Sequence, residues 1–238
     1  MKENKKENQK RQWLSISMIV IAAVLITWAA IARGQSFFLI LPLYVSLFVG
    51  MLQTKANRYA YLLGGLNSIL YALVYVIFSL YASAAYAILV SCPVQLATFW
   101  RWSRRAYKTS TEFSRLRFKS WCLVLVTFAI SAVALHFLSA RSDSPYRFFD
   151  NYGTLVGIFT MILSLLSFRE YSWFMLCGGI LNLILYGTML RDNPQQLTYL
   201  IYSVYSLICI VLQCISVHGL YREQQKIKER KTDENDLS

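Results

Sequence analysis

Charged side chains are scarce in this chain of 238 residues: Asp, Glu, Lys and Arg make up 15%, against about 25% in a soluble domain. No Asp or Glu lies deep in an apolar run, because Asp150 and Glu170 stand at run ends. Disorder needs the opposite balance of charge and hydrophobicity, and 56% hydrophobic residues in long runs exclude a water-soluble enzyme. Cys92, Cys122, Cys177, Cys209 and Cys214 all sit inside apolar runs, and the two histidines, His136 and His218, are isolated. That spacing suits neither a disulfide scaffold nor a metal site, so the thiols read as small hydrophobes. There is no phosphate-binding Gly-rich loop, no His-Glu-x-x-His and no nucleophile–base constellation. A primary pump, an intramembrane hydrolase and a need for any cofactor are thereby disfavoured, and the chain is not expected to be an enzyme.

What the chain does have is apolar length. A spanning helix takes about 20 apolar residues, so a chain of this size holds roughly eight spans and little else. Mean hydropathy is +0.42, and apolar runs fall near 13–32, 36–54, 59–80, 83–102, 119–139, 152–168, 171–190 and 197–220. Strands would alternate polar and apolar residues in segments of about ten. The runs do not, so they predict an all-α integral membrane protein of about eight transmembrane helices.

A net charge of +12 raises the question of nucleic acid, which the placement of charge answers. Basic residues precede the first run, fill one central loop (Arg101, Arg104, Arg105, Lys108, Arg115, Arg117, Lys119) and follow the last run. With both termini cytoplasmic, inside segments hold 20 Lys and Arg, and outside loops hold Arg33, Arg141, Arg147 and Arg191. This is the positive-inside pattern. The expected partner is the lipid bilayer rather than nucleic acid. Residues 1–32 end in Ala30-Ile31-Ala32, like a signal-peptide cleavage site. Their apolar stretch exceeds the usual 7–15 residues or so, which favours a retained helix; cleavage would leave seven spans.

Residues 64–71 read GGLNSILY and residues 179–186 read GILNLILY, with six of eight positions identical at an offset of 115. Each copy lies in the middle of a three-span group, spans 2–4 and spans 6–8. Both groups start outside, so they form parallel repeats with span 5 as connector, an order of 1+3+1+3. The organisation expected is a basic tail and extra helix (1–35), a first three-helix repeat (36–102), and a basic cytoplasmic loop with linker helix (103–140). A second three-helix repeat (141–221) and a charged cytoplasmic tail (222–238) follow. Parallel repeats about an axis along the membrane normal are a transporter design, with the site near midplane at their interface.

Asn67 lies roughly 12 Å into span 3, and Asn182 about 11 residues into span 7. An amide at that depth costs free energy unless hydrogen-bonded. Tyr71 and Tyr186 follow four residues later, on the same faces. Glue between helices and contact with substrate both account for such asparagines. Span 4 strings Ser91, Gln95, Thr98, Phe99 and Trp102 along one stripe, and span 8 does the same with Tyr202, Tyr205, Cys209 and Gln213. Amides beside aromatic faces suit a neutral or cationic planar heterocycle. Trp100 and Trp102 also stand where an interfacial aromatic belt would be. Without an intramembrane acid, uniport is simpler than ion coupling.

These residues resemble the PnuC family of bacterial vitamin-precursor transporters over most of 36–222. The resemblance rests on Gly64–Tyr71, the aromatic end of span 4, Phe148-Phe149-Asp150, Glu170 with Trp173, and Asn182/Tyr186. Thr198/Tyr202 and Gly219-Leu220-Tyr221-Arg222-Glu223 complete it. It implies two three-helix bundles joined by one helix, as in a full-length SWEET fold. It also implies facilitated diffusion of an unphosphorylated substrate, trapped afterwards by a cytosolic kinase in a bacterial cytoplasmic membrane. Nicotinamide riboside is the leading substrate; relatives carry thiamine, riboflavin or deoxynucleosides. Nicotinamide-riboside members show WxxW at the end of span 4, where this chain has Phe99-Trp100-Arg101-Trp102. Asn67, Gln95, Asn182 and Gln213 are the candidates for hydrogen bonds to substrate, and Phe99, Trp102, Tyr202 and Tyr205 for stacking. A membrane sensor that binds without translocating is the reading from another class. Monomer and homo-oligomer are both compatible with these spans.

Overall fold

A computed structural model of the protein describes residues 2–77, 87–138, 147–192 and 194–236. Eight α-helices lie among the described residues: α1 (Lys2–Ala32), α2 (Phe37–Thr54), α3 (Tyr59–Ile77), α4 (Cys92–Arg104), α5 (Phe118–Leu138), α6 (Arg147–Leu165), α7 (Tyr171–Asp192) and α8 (Leu197–Asp236). Between α4 and α5, β1 (Ala106–Tyr107) and β2 (Ser110–Thr111) pair antiparallel in a small hairpin. The protein is an all-α integral membrane protein, because helices satisfy every backbone group internally in hydrocarbon. Phe37–Thr54, Phe118–Phe137, Tyr171–Arg191 and Leu197–Arg230 are long and apolar enough to span alone; Ile16–Ala32, Tyr59–Val74 and Asn151–Leu165 are shorter apolar stretches. The expected turn at Tyr81-Ala82-Ser83, the adjoining ends of spans 3 and 4, residues 139–146 and Asn193 lie outside the described residues.

Helix ends differ from the apolar runs where polar residues continue a helix. The segment from 222, expected as a separate tail, is the continuation of α8 to Asp236. It contains neither Gly nor Pro and is rich in Lys, Glu, Gln and Arg, all good helix formers. Hydropathy marks the part of a helix in hydrocarbon, not the part that leaves it. Gly34, at φ +62°, takes the left-handed conformation that terminates α1.

α3 packs against α2 and α4, and α7 packs against α6 and α8. The two groups meet along α2–α8 and along α4–α6, α1 lies on α8 and α2, and α5 lies on α6. One buried cluster joins Ile26, Leu43, Leu47, Tyr205 and Cys209; another joins Trp102, Phe113, Leu116, Leu163, Tyr171 and Val217. On α5, Leu123, Val126, Ile130 and Val133 point outward, as lipid-solvated residues do.

The basic loop is ordered by its contacts. Gln224 Oε1 accepts from Phe113 N–H at 2.9 Å while its Nε2 donates to Thr111 O at 2.9 Å. Glu170 Oε2 accepts from Leu116 N–H at 3.2 Å. Lys108 Nζ reaches Glu223 Oε1 at 2.7 Å, with side chains 58% and 46% exposed, so the pair adds little to global stability. Its hydrogen bond pulls the Glu223 carboxyl below its ordinary 4.5 and pushes the Lys108 ammonium above 10.5. The acid's contribution is complete above 4.5 and lost as pH falls through its lowered value. The lysine's is complete below 10.5 and lost as pH rises through its raised one. Amide-exchange protection of 106–111 is therefore expected to be constant at neutral pH and to fall on acidification below 4.5. Glu223→Gln is expected to remove that acid response while leaving Tm at neutral pH nearly unaltered. An acid response that survives the substitution would assign the anchoring to other groups.

Candidate functional site

Between the α2–α4 and α6–α8 groups the helices leave a cavity of about 300 Å³, the scale of a small-molecule site. The first group contributes Gln53 from α2, Tyr61 from α3 and Gln95 from α4. α6 presents Gly153, Gly157, Thr160 and Ser164, whose spacing places them on one helix face. α7 adds the adjacent Gly178 and Gly179 and then Asn182 and Tyr186, each about one turn further on, and α8 adds Tyr202, Ser203, Ser206 and Ile210. Among the described lining residues there is no Lys, Arg, His, Asp or Glu. The walls offer amides, hydroxyls and tyrosine faces in a neutral setting.

Three of the expected site residues meet in this cavity. Gln95 Nε2 donates to Ser68 Oγ and Ser91 Oγ, both at 3.0 Å. Asn182 is exposed to it and takes no hydrogen bond among the described residues. Tyr202 lines it from α8.

The other five lie elsewhere. Asn67 is 4% exposed; its Nδ2 donates to Pro42 O at 3.1 Å and Ser46 Oγ at 2.8 Å, tying α3 to α2. Tyr205 donates to Leu47 O at 2.7 Å across the α8–α2 seam. Gln213 is buried beyond the cavity, with Nε2 donating to Tyr171 Oη at 2.8 Å. Trp102 is fully buried and donates from Nε1 to Ser164 O at 2.8 Å, bridging α4 and α6. Phe99 packs on Tyr59 with ring centroids 5.7 Å apart, away from the cavity.

Trp102 packs behind two residues of the cavity wall, Tyr61 and Ser164. Its ring meets Tyr61 at 4.7 Å, Phe113 at 5.4 Å and Tyr171 at 5.9 Å, all edge-on, the arrangement aromatic quadrupoles favour. Tyr186 and Tyr199 stack at 5.6 Å, and Tyr71 Oη lies 3.3 Å from Ser46 Oγ. Belt residues would face lipid headgroups, and Trp102 does not. Trp100, 59% exposed under the Arg104 guanidinium at 3.6 Å, suits that place.

Sequence reasoning missed Gln53, Tyr61, Thr160, Ser164, Ser203 and Ser206 as cavity residues. A signal for part of them existed. Gln53 is the one amide in run 36–54, and Gly153, Gly157, Thr160 and Ser164 form a stripe of small and hydroxyl residues at helical spacing. The internal repeat has a structural counterpart. A Cβ on Gly64 would lie 2.0 Å from Gln95 Oε1, and one on Gly179 would lie 2.9 Å from Ile210 Cδ1. Gln95 and Ile210 are 115 positions apart, as the two glycines are.

The family model described as "Nicotinamide mononucleotide transporter" matches residues 36–215, from the entry to α2 into α8. The chain matches no curated protein. A solved structure, the crystal structure of the vitamin B3 transporter PnuC, is similar with a TM-score of 0.71 at 21% identity. That likeness covers 88% of this chain and 90% of the other, and at such identity it speaks for the fold alone. The family match reaches through both helix groups that wall the cavity, so the chain belongs to the nicotinamide mononucleotide transporter family, that of PnuC, and is a multi-pass membrane transporter rather than an enzyme.

Proposed function

We propose that this transporter takes up an unphosphorylated vitamin precursor, with nicotinamide riboside as the leading substrate, by facilitated diffusion. It does so across the bacterial cytoplasmic membrane with both termini cytoplasmic, and a cytosolic kinase traps the product. The observation that carries this reading is the uncharged cavity wall among the described residues. A phosphate monoester brings a charge of about −1.5 to −2 at neutral pH, and burying it without Arg or Lys is strongly unfavourable. A riboside makes no such demand. Its pyridinium ring suits the faces of Tyr61, Tyr186 and Tyr202, and its carboxamide and hydroxyls suit Gln53, Gln95, Asn182, Ser203 and Ser206. The lack of a carboxylate in the wall supports uniport over proton coupling. Movement follows from rocking of one three-helix repeat, within 36–102, against the other, within 141–221, about the site between them.

The test is counterflow in proteoliposomes with labelled nicotinamide riboside, nicotinamide mononucleotide, thiamine, riboflavin and deoxynucleosides, with and without ion gradients. Gradient-independent exchange of the riboside, with no exchange of the mononucleotide, is expected. Exchange of the mononucleotide would overturn the charge argument. Binding without exchange of any compound would make the protein a sensor.

A further inference from the structure

We propose that Gly64, Ser68 and Ser91 are positioning residues that hold Gln95 as a hydrogen-bond acceptor in the cavity, so that a transported molecule must present an N–H or O–H donor to Gln95 Oε1. This rests on the uptake function above and narrows the chemistry of its substrate.

Counting protons sets the direction of every bond. Ser68 Oγ donates to Gly64 O at 3.0 Å, which uses its single proton. It can then only accept from Ser91, whose Oγ lies 2.9 Å away, and that contact uses the Ser91 proton. The Gln95 amide atom 3.0 Å from both hydroxyls must therefore be a donor. Nε2 has two protons for the purpose; a flipped amide would set its oxygen against two oxygens with no proton left between them.

With Nε2 so engaged, Oε1 is aimed over Gly64, where a Cβ would stand 2.0 Å from it. Only a glycine hydrogen leaves room. Oε1 takes no hydrogen bond among the described residues, is not among the buried unpartnered atoms, and belongs to a cavity-lining side chain. It is an oriented, open acceptor on the cavity wall.

The second repeat shows that helix packing alone does not require this arrangement. At the same offset, Gly179, Leu183, Ser206 and Ile210 stand for Gly64, Ser68, Ser91 and Gln95. The close approach to glycine is kept, with Ile210 Cδ1 in place of the amide oxygen. One wall thus carries an acceptor where its counterpart is apolar, which orients an asymmetric substrate.

The experiment is competition against labelled nicotinamide riboside exchange by analogues that each lack one donor. The 3-acetylpyridine riboside lacks the carboxamide N–H, and the 2′-deoxy, 3′-deoxy and 5′-deoxy ribosides each lack one hydroxyl. In the native protein one analogue is expected to compete about tenfold or more weakly than nicotinamide riboside, and which one identifies the donor. Gly64→Ala, which displaces the amide, is expected to bring that analogue to within about twofold of the parent while the other ratios stay put. Ser68→Ala should do the same, and Ser68→Thr, which keeps the hydroxyl, should restore discrimination. Ser68→Ala decides the matter if Gly64→Ala does not insert. No weak analogue in the native protein, or ratios untouched in the variants, overturns the inference while leaving riboside uptake intact. A native protein that exchanges no riboside overturns the uptake function and this inference with it.

Discussion

Replacing Asn182 with Leu is expected to lower riboside exchange by about 10- to 100-fold, the equivalent of one or two lost hydrogen bonds to a desolvated substrate. Membrane insertion and Tm should remain near native, because Asn182 is exposed in the cavity wall and takes no hydrogen bond among the described residues. Its repeat counterpart should behave in the opposite way. Asn67→Leu removes the Nδ2 bonds to Pro42 O and Ser46 Oγ that tie α3 to α2, at a cost of about 1–3 kcal/mol. Proteoliposome exchange measured beside thermal unfolding separates the two. Full activity in Asn182→Leu would remove that side chain from the substrate path.

Trp102→Ala is expected to be the most destabilising single change, by about 3–5 kcal/mol. Much of that cost is the cavity left at the junction of Tyr61, Phe113 and Tyr171. Hydrocarbon outside is as apolar as the bundle interior, so lost packing rather than transfer from water dominates. Trp102→Phe keeps a ring in the cluster and removes only the indole N–H bond to Ser164 O, which still accepts from Ser167 N–H at 2.9 Å, so it should cost about 0.5–1.5 kcal/mol. Thermal unfolding of the detergent-purified protein checks both. Similar losses in the two variants would mean that the indole N–H bond, rather than ring packing, holds α4 to α6.

The stripe on α4 reads from sequence as a row of ligand contacts, yet its members part company in three dimensions. Gln95 reaches the cavity, Trp102 is buried behind Tyr61 and Ser164 of its wall, and Phe99 packs on Tyr59. On α8 the residues Tyr205, Cys209 and Gln213 are the buried ones, packed on α1, α2 and Tyr171, while Tyr202, Ser203 and Ser206 meet the cavity. Spacing states which residues share a face; it does not state what that face meets.

The sequence by itself determined the helical membrane architecture, the basic loop and the 115-residue repeat, because hydropathy, charge placement and self-similarity are properties of the chain. Tertiary structure alone decided which asparagine ties helices and which opens to the cavity, and it recruited Tyr61 from a run with no distinguishing pattern. The physical reason is the solvent. In water the inward face of a helix announces itself by being apolar, whereas in lipid both faces are apolar, so the inward one is known only from what packs against it.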